Sequence, residues 1–536
     1  MIGITKLRIF SALIVAMCLT VSACKTTSDL NPLLEKIPSN DEGVALIEDP
    51  NQMLIDTMRW LERALGPAGR TISERLRQEG RKVLGFDPVT STLSEKLHLD
   101  NDVGLAIFSP TSQSENLLLA KSTKPAQLFE TLHAWYRRID TSAKMETRDV
   151  SGGTIKLQYY GKPFGKELVT VFIVRQLDNG WFLVGGADSE TSLSSYAAPV
   201  LSKSLASTAL AETIKTTPRP DIQIWAPPAL LFGKSATPLN QSSRGVLSSI
   251  DITATGITLA SEAPIELPSF LKAMETAPLR SLLNHATEED FFVAATRLAQ
   301  DSTLNALAAH PPWQTELINL LAQATEEAGL DIHKDVLPQL NGDVLITAAL
   351  SPQANVASLR QLKTKQSLSK LGSQFKGRIY LGIKDTKAMQ ALLNKGLETL
   401  KSQGQPLRQR LTSDGYQVIE PDLDAPAFGW ALGASYYVYA LGVGELEAAI
   451  ATLRETPSPN SIATQYGNEP NTSLGIVRLG TLAQSLKALS ANAGIAPQLQ
   501  GLVKPVLTAL ERIGDLAFKV QFTERSLRLT LTETLP

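Results

Sequence analysis

The chain has 536 residues, which is more than one ordinary core accommodates; at about 100–200 residues per domain, two large domains fit best. Hydrophobic residues make up 43% and charged residues 19% of it, a globular composition that excludes a disordered or membrane-embedded chain. The formal net charge of −2 provides no long-range field that would gather nucleic acid, so we expect no nucleic-acid partner.

Residues 1–23 are predicted to be a secretory signal peptide. Lys6 and Arg8 form a short positive end, an apolar run extends from Ile9 to Leu19, and small residues precede Cys24. The run is much shorter than the roughly 20 residues that a membrane-spanning helix needs. A permanent transmembrane anchor is therefore disfavoured.

The sequence Val21-Ser22-Ala23-Cys24 resembles the lipobox of bacterial lipoproteins. This resemblance implies that Cys24 becomes the mature N-terminal residue and carries an S-diacylglycerol and an N-acyl group. Several acyl chains anchor a protein stably, since each buried CH₂ contributes about 0.8 kcal/mol. Lys25 follows the cysteine where aspartate would favour inner-membrane retention, so the resemblance points to the outer membrane, facing the periplasm. The alternative is an ordinary signal-peptidase site, which Val21 and Ala23 would also suit.

The folded part of the chain is expected to contain no cysteine. Cys18 lies in the leader and Cys24 would carry the lipid, which excludes disulfides and thiolate chemistry from the body. Residues 24–40 are predicted to form a lipid-attached tether. Its polar part, Lys25 to Asn31, would reach roughly 20 Å if extended, so the body is expected close to the membrane.

The first half of the chain alternates predicted helices and strands. A buried strand at Gly43–Asp49 precedes a helix with an apolar stripe from Met53 to Leu65, which ends at Gly66-Pro67, and a second helix from Ile72 to Leu84. Asp87-Pro88 is predicted to start the next helix, with Asp87 as its cap. The remaining predicted elements are a hairpin of Val103–Phe108 and Asn116–Lys121, a helix Gln127–Ile139, strands Ile155–Tyr160, Leu168–Leu177 and Trp181–Gly185, a helical stretch to Thr216, a strand Asp221–Trp225 and a hairpin Ser249–Glu262. The turn Asp178-Asn179-Gly180 is a strong hairpin signal, because a primed turn needs positive φ.

The second half of the chain repeats this order. Gly329-Leu330-Asp331, followed by Leu337, Leu340 and Asp343–Ile346, parallels Gly85-Phe86-Asp87, Leu93, Leu97 and Asp102–Leu105, and the offset is about 240 residues. Upstream, Glu289–Ala294 parallels Asp41–Leu46. Downstream, a helix Ala388–Leu400, strands Phe428–Leu432 and Tyr436–Gly442, a helix Leu446–Arg454, a strand Ser473–Arg478 and a hairpin Leu516–Glu533 follow the pattern of the first half.

These patterns predict an α+β fold with two similar tandem units, each a mainly antiparallel sheet packed with helices. The expected bounds are 41–268 and 279–536, with the junction near Pro264–Pro278. The alternative is two unrelated domains that share only a generic alternation of helices and strands. The repeated Gly-x-Asp start, with a leucine-rich helix leading into a strand, is similar to the uncharacterised duplicated domain of many bacterial envelope lipoproteins, a resemblance that implies no particular activity.

No catalytic or metal-binding motif is recognisable. The histidines lack the spacing of a helical metal pair; they are His98, His133, His285, His310 and His333. His333 is interpreted as a surface residue in a first helical turn. Gly185–Ser189 lacks the nucleophile-elbow spacing and is interpreted as a strand end and helix cap. Gly161–Lys166 lacks the phosphate-loop spacing and is interpreted as a loop.

Three charged groups remain as candidates. Asp87 and Asp331 recur at equivalent places and could form paired carboxylates across a cleft, although helix capping explains both more simply. Glu288, Glu289 and Asp290 are interpreted as a solvated turn. A basic stretch could touch anionic headgroups, although the intervening Glu74 and Glu79 favour a solvent-exposed helix face; it comprises Arg70, Arg75, Arg77, Arg81 and Lys82.

The expected function is therefore a non-catalytic binding or interaction module on a lipid-anchored envelope protein. We expect no enzyme activity, cofactor or metal, and the expected partners are the membrane and another envelope protein. The alternative is a periplasmic carrier that shelters a lipid or other amphiphile between helices and sheet. A third hypothesis is a hydrolase with a non-standard site.

Overall fold

The computed structural model describes most of the chain from residue 31 onward. The described ranges are 31–38, 43–47, 50–87, 89, 93–100, 103–108, 116–139, 141, 144–150, 154–161, 169–186, 204–207, 221–226, 246–264, 276–297, 331–352, 354, 374–402, 404, 406–454, 460–492, 506–522 and 526–534. The predicted leader, most of the tether, Cys24 and most of the predicted helical stretch to Thr216 lie outside these ranges.

The chain forms two compact units, residues 1–263 and 264–536. Both contain helices and antiparallel strands, which agrees with the predicted α+β class. The strands described in the first unit are β1 (Val44–Ile47), β2 (Leu105–Phe108), β3 (Leu117–Lys121), β4 (Lys144–Val150), β5 (Thr154–Gly161), β6 (Val169–Gln176), β7 (Trp181–Gly186), β8 (Ile222–Ala226), β9 (Val246–Thr253) and β10 (Gly256–Pro264).

The strands of the first unit form one antiparallel sheet in the order β10-β9-β8-β1-β2-β3-β7-β6-β5-β4. Its helices are α1 (Asn31–Leu34), α2 (Pro50–Leu65), α3 (Pro67–Leu84), α4 (Leu93–Leu97) and α5 (Pro125–Ile139). Both faces of its central strands are buried. Leu118, Phe182 and Val184 pack against residues from α3, α4 and α5, whereas Leu119 and Leu183 pack on the other face with residues of α1.

The second unit has ten strands in its main sheet and a small separate pair. The pair is β11 (Ala277–Pro278) with β19 (Pro470–Asn471). The main strands are β12 (Phe292–Arg297), β13 (Leu340–Leu350), β14 (Phe375–Ile383), β15 (Leu407–Leu411), β16 (Gln417–Pro421), β17 (Phe428–Leu432), β18 (Tyr436–Leu441), β20 (Ser473–Arg478), β21 (Asp515–Phe522) and β22 (Ser526–Thr534). Their order is β22-β21-β20-β12-β13-β14-β18-β17-β16-β15, again antiparallel throughout.

When the strands of each main sheet are numbered along the chain, the two sheets have the same order, 10-9-8-1-2-3-7-6-5-4. The helices described in the second unit are α6 (Arg280–Leu283), α7 (Thr386–Ser402), α8 (Glu445–Arg454), α9 (Ser461–Tyr466) and α10 (Leu479–Asn492). The largest core of this unit packs Val293, Leu345 and Tyr380 of the sheet against residues of α6, α8 and α9.

Most predicted elements are confirmed within one to three residues of their ends. The turn at Asn179 and Gly180 has φ values of 57° and 81°, as the hairpin signal predicts. The prediction of a helix starting at Asp87-Pro88 is wrong for the described residues, since α4 begins at Leu93. Strands β4, β11, β14, β15, β16 and β19 and helices α1, α6, α9 and α10 were not predicted. Charged residues interrupt the apolar alternation in β4, β14 and β15. In the described part of the chain, no helix combines the length and the apolar character needed to cross a bilayer.

Candidate functional site

The most distinctive side-chain arrangement is a buried ion cluster in the second unit, formed by Asp290, Lys376, Arg378 and Glu445. Arg378 Nη2 donates to Asp290 Oδ1 at 3.0 Å and to Thr287 Oγ1 at 3.0 Å. Arg378 Nε lies 3.6 Å from Glu445 Oε2, and Lys376 Nζ lies 3.1 Å from Glu445 Oε1. Asp290 and Arg378 are only 1% and 4% exposed, so both charges are almost fully removed from water.

Three elements position this buried ion cluster. Lys376 and Arg378 are two residues apart and lie on the same face of β14. Glu445 is the first residue of α8, and Asp290 lies just before β12. Burial disfavours the charged form of Arg378, but the facing carboxylates of Asp290 and Glu445 outweigh burial and raise the pKa of the guanidinium. Burial likewise opposes the charge on Lys376, and its hydrogen bond with Glu445 raises the pKa of the ammonium. The cluster is therefore a set of mutually neutralising charges.

An aromatic cluster of His285, Tyr380 and Tyr436 lies next to Arg378 on the same side of the sheet. The His285 ring stacks on Tyr380 at a centroid distance of 5.5 Å and meets Tyr436 edge-on at 5.3 Å. Burial lowers the pKa of His285, although a hydrogen bond with the backbone of Thr452 opposes the shift. Tyr380 is fully buried, its hydroxyl lies 3.2 Å from Thr452 Oγ1, and burial raises its pKa. These groups are held in their neutral forms by packing.

The acidic residues 288–290 form the predicted solvated turn at Glu288 and Glu289, which are exposed, but the third residue, Asp290, is buried. Glu288 Oε1 accepts the Ser461 N–H at the start of α9 (3.1 Å), and its Oε2 accepts from Arg478 Nη2 (2.9 Å). Burial opposes ionisation of Glu288, but these hydrogen bonds lower its pKa. Glu289 is exposed and reaches Lys376 at 3.5 Å, and Asp290 is buried against Arg378. Consecutive carboxylates thus serve separate partners, because the chain turns at this point.

Asp87 and Asp331 hold local structure within their own units. Asp87 Oδ2 accepts from Arg77 Nη2 at 2.6 Å and Arg81 Nη2 at 2.7 Å, and its Oδ1 accepts the Val89 N–H. Burial opposes ionisation of Asp87, but the two arginines outweigh burial and lower its pKa to about 2. Asp331 does cap a turn, because its carboxylate accepts the Lys334 N–H at 3.0 Å. The pairing of Asp87 with arginines was not predicted.

The remaining candidates form no shared centre in the described residues. His98 and His133 lie in the first unit and His285 in the second, whereas His310 and the side chain of His333 lie outside the described residues. The described residues contain no group of three or more potential metal ligands. Gly161 ends β5 and Gly186 ends β7, as predicted, and the residues that follow each glycine are outside the described ranges.

One cleft in the second unit has a volume of about 300 Å³. It lies between the start of α7 and the turns that flank β16 and β17, and its lining includes Thr386, Gln390, Asp414, Tyr416, Gln417 and Gly433. Thr386 Oγ1 donates to the Ala434 carbonyl at 2.7 Å, which ties the helix to the sheet. Gln417 Nε2 donates to Asn394 Oδ1, and its buried Oε1 has no hydrogen-bond partner among the residues that the structure describes. The lining therefore mixes polar side chains with Leu432, Ala434 and the ring of Tyr416.

Sequence reasoning missed the buried ion cluster because neighbouring strands bring its members together from positions 290, 376, 378 and 445. The available signal was the pair Lys376 and Arg378 inside an otherwise apolar strand. Comparison with known proteins found no matching family model, no similar curated protein and no similar solved structure. The proposals below therefore depend on the residues of this chain.

Proposed function

We propose that this chain is a lipid-anchored envelope protein with a non-catalytic binding or interaction role, attached through Cys24 at the outer membrane and facing the periplasm. The observation that carries the proposal is the leader: a positive end, a short apolar run and Val21-Ser22-Ala23-Cys24. The proposed body follows within a few residues, since α1 begins at Asn31. Short spacing of this kind suits a domain that works at the membrane surface.

We further propose that the body arose by tandem duplication of one α+β unit, with bounds at 41–268 and 279–536. The shared strand order supports this, since ten antiparallel strands could be arranged in many ways. The position of α5 between the third and fourth strands is matched by α7. Two similar units with different side chains would present two different surfaces to another envelope component.

Metabolic labelling with a palmitate analogue tests the anchor. We expect the wild-type chain to be labelled and to fractionate with membranes, and the Cys24→Ala variant to lose both properties. Cys18→Ala is the matched control, because it removes a thiol from the same leader and leaves the lipobox intact. Label that persists without Cys24, or an unmodified mature chain free in the periplasm, would contradict the proposal.

Crosslinking in native envelopes tests the proposed interaction role, because it would identify the protein partner.

A second candidate function is carriage of an amphiphile, favoured by one apolar surface of the second sheet. Leu531, Phe518, Gly475, Ala294 and Ile346 form one row across neighbouring strands. Leu531, Phe518 and Ile346 are 41%, 45% and 38% exposed. A Cβ placed on Gly475 would meet no atom within 4 Å, so the centre of the row is open.

Native mass spectrometry tests this carrier function. The carrier function is supported if the purified wild-type chain contains a bound lipid and the Gly475→Phe variant does not. The control variant Gly404→Ala, at an exposed turn, should still contain the lipid. Absence of any co-purified lipid from the wild-type chain would remove this candidate.

A further inference from the structure

The outward side of α3 in the first unit combines exposed apolar and basic side chains. Ile72 and Leu76 are one helical turn apart and are 40% and 45% exposed. The inward side of the same helix is buried at Gly69, Ser73 and Leu84. Ile72 and Leu76 therefore do not serve the core of this unit, and they form an apolar strip on its surface.

Basic residues flank this strip. Arg75 is exposed and has no carboxylate within ion-pair distance among the described residues, and Lys82 has a side chain that is 75% exposed. Arg77 and Arg81 lie on another face of the helix and both contact Asp87, and the spacing of Arg70 places it on that face as well. The structure thus leaves two cations, Arg75 and Lys82, beside the apolar strip. The acidic residue on this side is Glu79, at 3.8 Å from Lys82.

The position of α3 in the chain distinguishes it from the second unit. α3 belongs to the unit that follows the tether, and only residues 25–30 separate Cys24 from α1. In the second unit the same connection, between the first and second strands, spans residues 298–339. Its sequence has one lysine, Lys334, no arginine and six acidic residues, Asp301, Glu316, Glu326, Glu327, Asp331 and Asp335. The cluster of basic residues in this connection is therefore a feature of the sequence next to the proposed anchor.

We propose that the outward side of α3, formed by Ile72, Arg75, Leu76 and Lys82, docks on an anionic membrane surface. Apolar side chains on an interfacial helix enter the headgroup boundary, and flanking lysines and arginines contact anionic lipid. The proposed acylation at Cys24 supplies the biological setting, since residues 25–30, which lie between Cys24 and α1, would hold the unit within reach of the bilayer. The docking would orient the first unit on the membrane.

Vesicle co-sedimentation of the chain from residue 24 onward, carrying Cys24→Ser, tests the surface without any lipid anchor. We expect binding to vesicles of equal parts phosphatidylglycerol and phosphatidylcholine, little binding to phosphatidylcholine alone, and release as salt rises to about 0.5 M. Arg75→Gln with Lys82→Gln should weaken binding about fivefold for each charge removed. Ile72→Ser with Leu76→Ser should weaken it about tenfold. Glu79→Gln should strengthen it.

Matched controls come from the second unit. Lys395→Gln with Lys401→Gln removes two exposed charges from α7, and Leu411→Ser with Leu423→Ser removes two exposed leucines that are 72% and 55% exposed. Both control variants should bind like the parent chain. Equal binding to the two vesicle types, absence of binding, or equal loss in controls and α3 variants would overturn the proposal. The Cys24→Ser chain carries no acyl group, so vesicle binding and palmitate labelling test separate proposals. If the wild-type chain is not labelled but the Cys24→Ser chain binds vesicles, the lipid anchor is wrong and the docking surface on α3 is supported.

Discussion

The third strand of each sheet occupies the same place in the strand order, yet the two strands bury different chemistry. In β3, Leu117, Leu118, Leu119 and Ala120 are at most 1% exposed. In β14, Arg378 is 4% exposed and is neutralised by carboxylates from two other segments. The same strand order therefore tolerates an apolar centre or a charged one, provided that every buried charge has a partner.

The largest expected effect tests the charged centre. Arg378→Met should destabilise the second unit by about 3–5 kcal/mol, because it leaves Asp290 buried without its cation. The measurement is urea unfolding together with hydrogen exchange at the amides of β14. The double variant Asp290→Leu with Arg378→Met should recover most of that loss, since it imitates the leucine-rich β3. A double variant as unstable as the single one would show that the two strands are not interchangeable.

The apolar centre should respond more weakly. Leu119→Ala in β3 is expected to cost about 2–5 kcal/mol through lost burial and the cavity it leaves. The same unfolding measurement applies, with Leu259→Ala, at a position 38% exposed, as the control that should change little. If Leu119→Ala lowers the free energy of unfolding by less than Leu259→Ala does, the first sheet repacks around the cavity.

The two units should also differ in their response to acid. His285 has a lowered pKa in the folded state, so below about pH 6.5 the unfolded chain binds a proton that the folded chain excludes, and the second unit loses stability as pH falls. Asp87 has a pKa lowered from 3.8 to about 2, so its contribution is present above pH 3.8 and is lost as pH falls toward 2. Unfolding followed across pH 7 to 5 should show a slope that His285→Phe removes and that Asp87→Asn leaves in place.

The smallest expected effect concerns the open position at Gly475 in β20. Gly475→Ala should be neutral or stabilise the second unit by about 0.5–1 kcal/mol, because the strand gains a side chain and no atom lies in its way. Gly433→Ala is the contrasting variant, since a Cβ there would lie 2.3 Å from Tyr416 Cε1. Thermal unfolding compares them. A destabilised Gly475→Ala variant would show that the row of apolar residues is more tightly packed than its exposure indicates.

Sequence patterns were most reliable where periodicity and turn chemistry are local. The helix from Pro50 to Leu65 ends at Gly66-Pro67 as predicted, since proline opens the next helix and glycine adopts positive φ. The hairpins around Asn179 and around Thr255-Gly256 follow from residues that favour tight turns. Such signals depend on neighbours in the chain and need no knowledge of the core.

Which side of a strand is covered cannot be read from its own residues. Along β14, Lys376, Arg378 and Tyr380 alternate with Gly377, Ile379 and Leu381, an alternation typical of a strand whose polar side faces water. The structure buries the side with Arg378 and Tyr380 and leaves Ile379 and Leu381 partly accessible. In the acidic run at 288–290 the predicted solvated turn holds for Glu288 and Glu289, whereas Asp290 is buried because β14 supplies its partner, Arg378, from more than 80 residues away.

The sequence by itself predicted helices α2, α3, α5, α7 and α8, many of the strands and the proposed lipid site at Cys24, since each is encoded by residues close together in the chain. Only the tertiary structure decided which charges are buried, which of the basic residues on α3 face outward, and that the two sheets share one strand order. These properties depend on contacts between distant segments, and neither periodicity nor spacing encodes which segment will lie opposite a given side chain.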